Sequence, residues 1–420
     1  MDHLTSSYKS SAPPLSTTAI APTTTMKKLL VDVHSHIYTT RLVSLLRSRS
    51  VNPRIHRESS DGTEKLAILP QEVAGGRTVG PQYWDVRNKV SFMQRHAIDV
   101  SIVSLANPWL DWMDAKQAVT SAQECNADLE EYCHQATQLF GDAKGSTIEP
   151  ERRMRAFGIL PLAQGVEVDE VVKSLDAIKG APSLCGAILG SRGLGRGLDD
   201  PRLEPVWEKA AELGLVLFLH PHYGLGSDAS QPDGLWGQQD NGHVLPLALG
   251  FPFETAAATT RLILAGVFDR YPQLRLLVAH SGGALPILSS RLASCVAHDP
   301  HVCNRLEHDP RYYLGKLYYD AVAYGPEELE AVAKIIGRAQ RYGPGAADAD
   351  VKLGIARMHF GTDHPFFPPT RNDGTVITDD QTEIWRSVSE NVEAIDSVAS
   401  WSDADKHAVL GLNAVSLFGL

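Results

Sequence analysis

Five residues of metal-binding type punctuate the chain: His34, His36, His220, His280 and Asp363. The first two stand in Val31-Asp32-Val33-His34-Ser35-His36, an apolar run that ends in His-x-His. In a strand, residues i and i+2 share a face. The two imidazoles therefore lie side by side and can share one divalent cation. Taken singly, each histidine could equally be a surface residue or a hydrogen-bonded core residue. Taken together, the five fall at the ends of four apolar runs and point to one metal. Three imidazoles and a carboxylate suit zinc, at distances of about 2.0–2.2 Å. If His34, His36, His220 and Asp363 hold it, His280 is left free beside it as a candidate acid/base. The alternative for His280 is a hydrogen-bonding role toward a ligand. His222, His243, His359 and His364 have weaker claims, because they lie past a strand, within one or on its other side.

Elements that bring these residues together must alternate. Apolar runs predict strands over residues 29–36, 99–106, 155–160, 185–189, 215–220, 274–280, 316–320 and 357–363, with helical stretches between them, among them 115–140. Eight strands alternating with helices predict an α/β fold, a (β/α)8 TIM barrel, whose strand ends converge on one pocket. Residues 1–26, rich in Ser, Thr, Ala and Pro, read as a disordered tail, and 27–420 as a single catalytic barrel. Residues 50–80 and 224–243 read as long irregular loops after strands one and five, suited to be lids. The fourth strand has no Lys near its end, so a carbamylated lysine bridging two metals is not available there and one metal is the simpler expectation. Arg77 sits among glycines in the first loop, where a solvated arginine is the commoner case. Asn107, before Pro108, could offer its amide to a ligand or merely cap a turn.

The chain has 420 residues, 43% hydrophobic and 21% charged, with a net charge of −11. The acidic balance and the lack of a Lys/Arg cluster argue against a nucleic-acid partner. Five scattered cysteines without a CxxC motif indicate neither a disulfide framework nor a thiolate zinc site, which fits a reducing, cytoplasmic setting. No run reaches the roughly 18 apolar residues of a membrane span.

The motifs around His34 and His36, His220-Pro221-His222, Ala279-His280-Ser281-Gly282-Gly283 and Gly361-Thr362-Asp363-His364-Pro365-Phe366 resemble the amidohydrolase superfamily. Within it they are similar to the branch of the aminocarboxymuconate-semialdehyde decarboxylases. Ser104-Leu105-Ala106-Asn107-Pro108-Trp109 and the segments 194–200, 242–252 and 360–369 resemble the fungal isoorotate decarboxylases in particular. The resemblance implies a zinc-dependent, non-oxidative decarboxylase (a carboxy-lyase) that converts uracil-5-carboxylate to uracil and CO2 in pyrimidine salvage. It implies one Zn2+ per subunit, or another divalent metal, on His34, His36, His220 and Asp363. It further implies a role beside the metal for His280, substrate contacts from Arg77, Asn107 and Phe366, and a homodimer or higher oligomer in which Arg291 reaches a neighbour's site. On this reading Asp363 would deliver the proton, or a zinc-bound water with His280 as relay would. Rival expectations are decarboxylation of aminocarboxymuconate semialdehyde or a salicylate-type acid, a metal-dependent amidohydrolase or lactonase, and a barrel whose metal is only structural.

Overall fold

The computed structural model describes residues 28–68, 76–141, 148–224, 244–369 and 384–420. The first strand, β1 (Val31–Ile37), is buried along its whole length, polar residues included. That is the environment of a parallel strand covered on both faces. After it come three short strands, β2 (Arg54–Arg57), β3 (Glu64–Ala67) and β4 (Arg77–Thr78), and then β5 (Val100–Leu105), β6 (Met154–Ile159), β7 (Leu184–Gly190), β8 (Val216–His220), β9 (Arg275–Val278), β10 (Tyr318–Asp320) and β11 (Met358–His359).

One eight-stranded sheet runs β1-β5-β6-β7-β8-β9-β10-β11, every neighbouring pair parallel. Its last segment returns to its first. Val33 N donates to Phe360 O at 3.0 Å, His36 N donates to His364 O at 2.6 Å, and Ser35 bridges His364 in parallel. The expected (β/α)8 barrel is therefore the fold. Helices lie between the strands. Helix Ala115–Phe140 has the bounds expected of it; Asp114 caps its start, and Ala118, Ala122, Cys125, Leu129, Cys133 and Ala136 form its buried stripe.

Three expectations are corrected. Residues 50–80 are not wholly irregular: β2, β3 and β4 form an antiparallel sheet. Ile55 pairs with Leu66 on its buried side, while Arg and Glu flank them. Strands this short and this charged carry too little alternation to stand out in a sequence. Secondly, residues 341–352, whose polar composition predicts a loop, are in part helical: their end enters a short helix, Val351–Ile355, capped by Asp350. Thirdly, the sixth and eighth barrel strands stop earlier than expected. His280, Ser281 and Asp363 have φ of 55°, 53° and 54°. This left-handed backbone cannot continue a strand. The tail 1–26, residues 69–75 of the first loop, residues 225–243 of the second and His243 lie outside the described residues. No helix among the described residues is long and apolar enough to cross a membrane.

Candidate metal centre and active site

β1 turns His34 and His36 inward as alternation requires, and their Nε2 atoms lie 3.0 Å apart. Asp363 Oδ1 sits 3.4 Å from each of these nitrogens. His220, the last residue of β8, brings its ring to 5.2 Å from that of His34 and 4.8 Å from that of His36. His280 places Nε2 3.7 Å from Asp363 Oδ2. One ligand-type atom from each of His34, His220, His280 and Asp363 lies within 4.8 Å of the other three. All five residues thus converge, and these distances do not set His280 apart as the free member of the group.

The hydrogen bonds decide what the cluster offers. His220 Nδ1 must donate to the Pro221 carbonyl at 2.8 Å, since that oxygen can only accept. His34 Nδ1 faces the Asp320 carboxylate at 2.6 Å. Each ring with its proton on Nδ1 turns an Nε2 lone pair inward. His36 Nδ1 is held by Ser104 Oγ at 2.9 Å. Asp363 Oδ1 is buried without a hydrogen-bond partner. Inward lone pairs around a buried carboxylate oxygen repel one another unless a cation lies between them, so the residues present fit a divalent metal.

The electrostatics agree. Burial pushes the Asp363 carboxyl up, but His34, His280 and His36 outweigh it and hold its pKa well below the usual carboxylate range. Burial lowers His36 to about 4 and drives His220 well below the ordinary imidazole value, which keeps both neutral and able to ligate at pH 7. For His34, burial is outweighed by Asp363 and Asp320, and its pKa is raised.

Around the cluster stand flat side chains and one cation. The Phe366 ring meets His36 edge-on at 5.4 Å, Trp109 approaches His220 at 5.8 Å, and Phe251 lies 6.1 Å from His220. The Arg77 guanidinium lies over Phe366 at 4.4 Å and donates to Tyr38 Oη at 2.5 Å and to Asn107 O at 2.9 Å. Arg77 is thus not a solvated loop residue; it belongs to β4 and is partly buried. Asn107 does more than cap a turn. Its Nδ2 donates to Pro221 O at 3.0 Å and to His222 O at 2.6 Å, which leaves Oδ1 buried with no donor. Arg291 is exposed on helix Leu285–His298, where Ile287 and Leu288 are exposed as well.

Of the weaker candidates, His222 is buried beside Ser191 and Trp109. His364 is stacked on Phe92 at 3.7 Å, and His359 is buried with both ring nitrogens unpartnered. Three buried ionic residues escaped the sequence reading. Glu254 accepts from the backbone N–H groups of His222, Tyr223 and Gly224 and from Ser191 Oγ. Lys89 lies under β1 against Ser35 Oγ, 3.9 Å from Asp32, and burial lowers its pKa to about 8 against the pull of that carboxylate. Asp320, at the end of β10, accepts from His34 and from three backbone N–H groups. Only Asp320 left a signal in the sequence: like His220, it closes an apolar strand.

The amidohydrolase family profile matches residues 31–420. The chain belongs to the amidohydrolase family. Its relatives place it in the decarboxylase branch of that family. The crystal structure of Metarhizium anisopliae IDCase in its apo form is 33% identical to this chain, with a TM-score of 0.77, and covers 94% of this chain and 97% of that one. The 2-amino-3-carboxymuconate-6-semialdehyde decarboxylase of Dictyostelium discoideum is 23% identical over 396 residues, 94% of this chain and 92% of that protein. A dihydroxybenzoic acid decarboxylase from a Polaromonas species, solved with bound manganese and 2-nitroresorcinol, is 20% identical with a TM-score of 0.64, covering 94% and 97%. That last likeness concerns the fold alone.

Proposed function

We propose that this carboxy-lyase removes the carboxylate of uracil-5-carboxylate without oxidation, releasing uracil and CO2. The observation that carries the choice of substrate is the Asn107 side chain. Its amide nitrogen is committed to Pro221 O and His222 O, so the buried Oδ1 remains as an acceptor that wants a donor. A pyrimidine ring supplies N–H donors, and a benzoate ring has none of its own. The likeness to the Metarhizium IDCase over nearly the whole chain supports the same reading.

The residues divide the work as follows. His34, His36, His220 and Asp363 hold a divalent cation, with zinc as the proposed metal and manganese, seen in a more distant relative, as the alternative. The cation, when bound, supplies a Lewis acid and template for the substrate's carboxylate and neighbouring oxygen. Arg77 holds the departing carboxylate by paired N–H bonds. Phe366 lies against the ring face. A proton is delivered to C5, the bond from C5 to the carboxylate carbon breaks, and its electron pair returns to the ring as CO2 leaves. His280 carries that proton. Asp363 is ionised at rest by its three histidine neighbours, so it serves as relay and ligand rather than as the resident acid. The active unit is a homodimer or larger assembly in the cytoplasm, and Arg291, next to exposed Ile287 and Leu288, lies on the contact surface.

Turnover of uracil-5-carboxylate by metal-analysed protein, with uracil followed by chromatography, tests this reading. Uracil formation that is lost in His34→Ala and in Asp363→Ala is the expected result. A protein that holds about one metal ion but releases CO2 only from a salicylate-type or muconic acid would overturn the substrate. Ring opening of a lactone or amide without CO2 would overturn the reaction.

A further inference from the structure

The Asp320 carboxylate has all four of its acceptor positions in use. Oδ2 accepts from His34 Nδ1 at 2.6 Å and from the His280 backbone N–H at 2.9 Å. Oδ1 accepts from Ser281 N at 2.8 Å and from Val322 N at 3.1 Å. The residue is fully buried, so no solvent competes for these bonds. Three of the four donors are backbone N–H groups, which cannot change their character. The fourth, the His34 ring, can hold its proton on either nitrogen.

We infer that Asp320 is a positioning residue that sets the tautomer of His34, keeping the proton on Nδ1 so that the Nε2 lone pair faces the metal site. Its own acceptor-only chemistry makes any other arrangement costly: a lone pair on Nδ1 would face a carboxylate oxygen across 2.6 Å. The same carboxylate holds the left-handed turn at His280 and Ser281, with φ of 55° and 53°, so one group on β10 aims a ligand from β1 and the turn that follows β9. The inference rests on the metal reading of the five-residue cluster and adds to it a group that does not itself touch the ion.

Asparagine at 320 is the informative change. Its single carbonyl oxygen best serves the Ser281 and Val322 N–H groups, neither of which can become an acceptor. Its NH2 then faces His34, which answers by moving its proton to Nε2 and losing its inward lone pair. The experiment compares wild type with Asp320→Asn by competition for Zn2+ and for Mn2+ against a chromophoric chelator, alongside the melting temperature of each apo form. Loss of an outer partner of this kind weakens metal binding by about 10- to 100-fold. That loss, with the variant folded, is the expected result. Equal metal affinity in a folded variant, even one of lower melting temperature, would reduce Asp320 to a structural residue and overturn the inference. Wild type that binds no divalent metal would overturn the metal reading and this inference with it. If Asp320→Asn does not fold, neutron diffraction from wild-type crystals at alkaline pH, where the His34 ring is neutral, decides: a deuteron on His34 Nδ1 supports the assignment, and one on Nε2 overturns it.

Discussion

Replacing Glu254 by Gln should raise KM for the substrate while leaving the metal in place. The Glu254 carboxylate gathers the backbone N–H groups of His222 at 3.0 Å, Tyr223 at 3.2 Å and Gly224 at 2.6 Å, together with the Ser191 hydroxyl. In the Gln variant one oxygen becomes NH2. The Ser191 hydroxyl can rotate to accept, so the NH2 settles on that side and faces the His222 N–H. One buried N–H then goes unsatisfied, at a cost of about 1–3 kcal/mol. The bonds to Tyr223 and Gly224 persist but change from charge-assisted to neutral, losing about 1 kcal/mol each. The sum, about 3–5 kcal/mol, weighs against the native path of residues 221–224. That path presents the Pro221 and His222 carbonyls that hold the Asn107 amide. If about a third of this energy reaches substrate binding, KM rises roughly tenfold. His220 is anchored within β8, and its Nδ1 bond reaches only the adjoining Pro221 carbonyl, so metal per chain should stay near the wild-type value. Steady-state kinetics with uracil-5-carboxylate, metal analysis and a thermal melt read all three quantities. An unchanged KM in a folded, metal-loaded variant would refute the link between Glu254 and Asn107; loss of metal with unchanged KM would refute the separation of the two functions.

Other outcomes follow from the same structure. His359 is fully buried, and burial lowers its pKa to about 3. The unfolded chain takes up this proton below pH ~6.5 and the folded chain does not until about 3. This group therefore costs about 1.4 kcal/mol of stability per unit as pH falls through that window. Urea midpoints taken between pH 4 and 6.5 should show His359→Leu losing stability less steeply than wild type, and equal slopes would contradict the assignment. Asp363 and Asp320 outweigh burial and raise the His34 pKa, so below that raised value metal must displace a proton there. Affinity should fall as pH drops through that raised value, and calorimetry in buffers of different ionisation enthalpy should register proton release on loading. Gly354→Ala would drive a Cβ into the backbone oxygen of Ala333 in helix Pro326–Gly337. Such overpacking should destabilise by about 1–3 kcal/mol, read as a lower urea midpoint with turnover per folded molecule unchanged.

The sequence by itself determined the barrel and the membership of the cluster, and the reason is local. Strand alternation puts His34 and His36 on one face whatever the rest of the chain does, and apolar runs that end in His or Asp mark where barrel strands stop. Eight apolar runs separated by helices leave few ways to bury both faces of every strand. Only the tertiary structure decided what each ring offers to a metal. That depends on partners remote in the chain: Asp320 on His34 across 286 residues, and Ser104 on His36 across 68. Nor could spacing reveal that Arg77, in a glycine-rich stretch with little periodicity, meets Tyr38 and Asn107. The left-handed backbones of His280 and Asp363 were hidden for a similar reason. Both residue types are at home in strand or turn, and it is backbone hydrogen bonds to Asp320 and to His34 O that hold them where a strand would have continued. Residue type and local pattern place a donor on a face. Its protonation, tautomer and aim are set by whatever the fold brings to its other side.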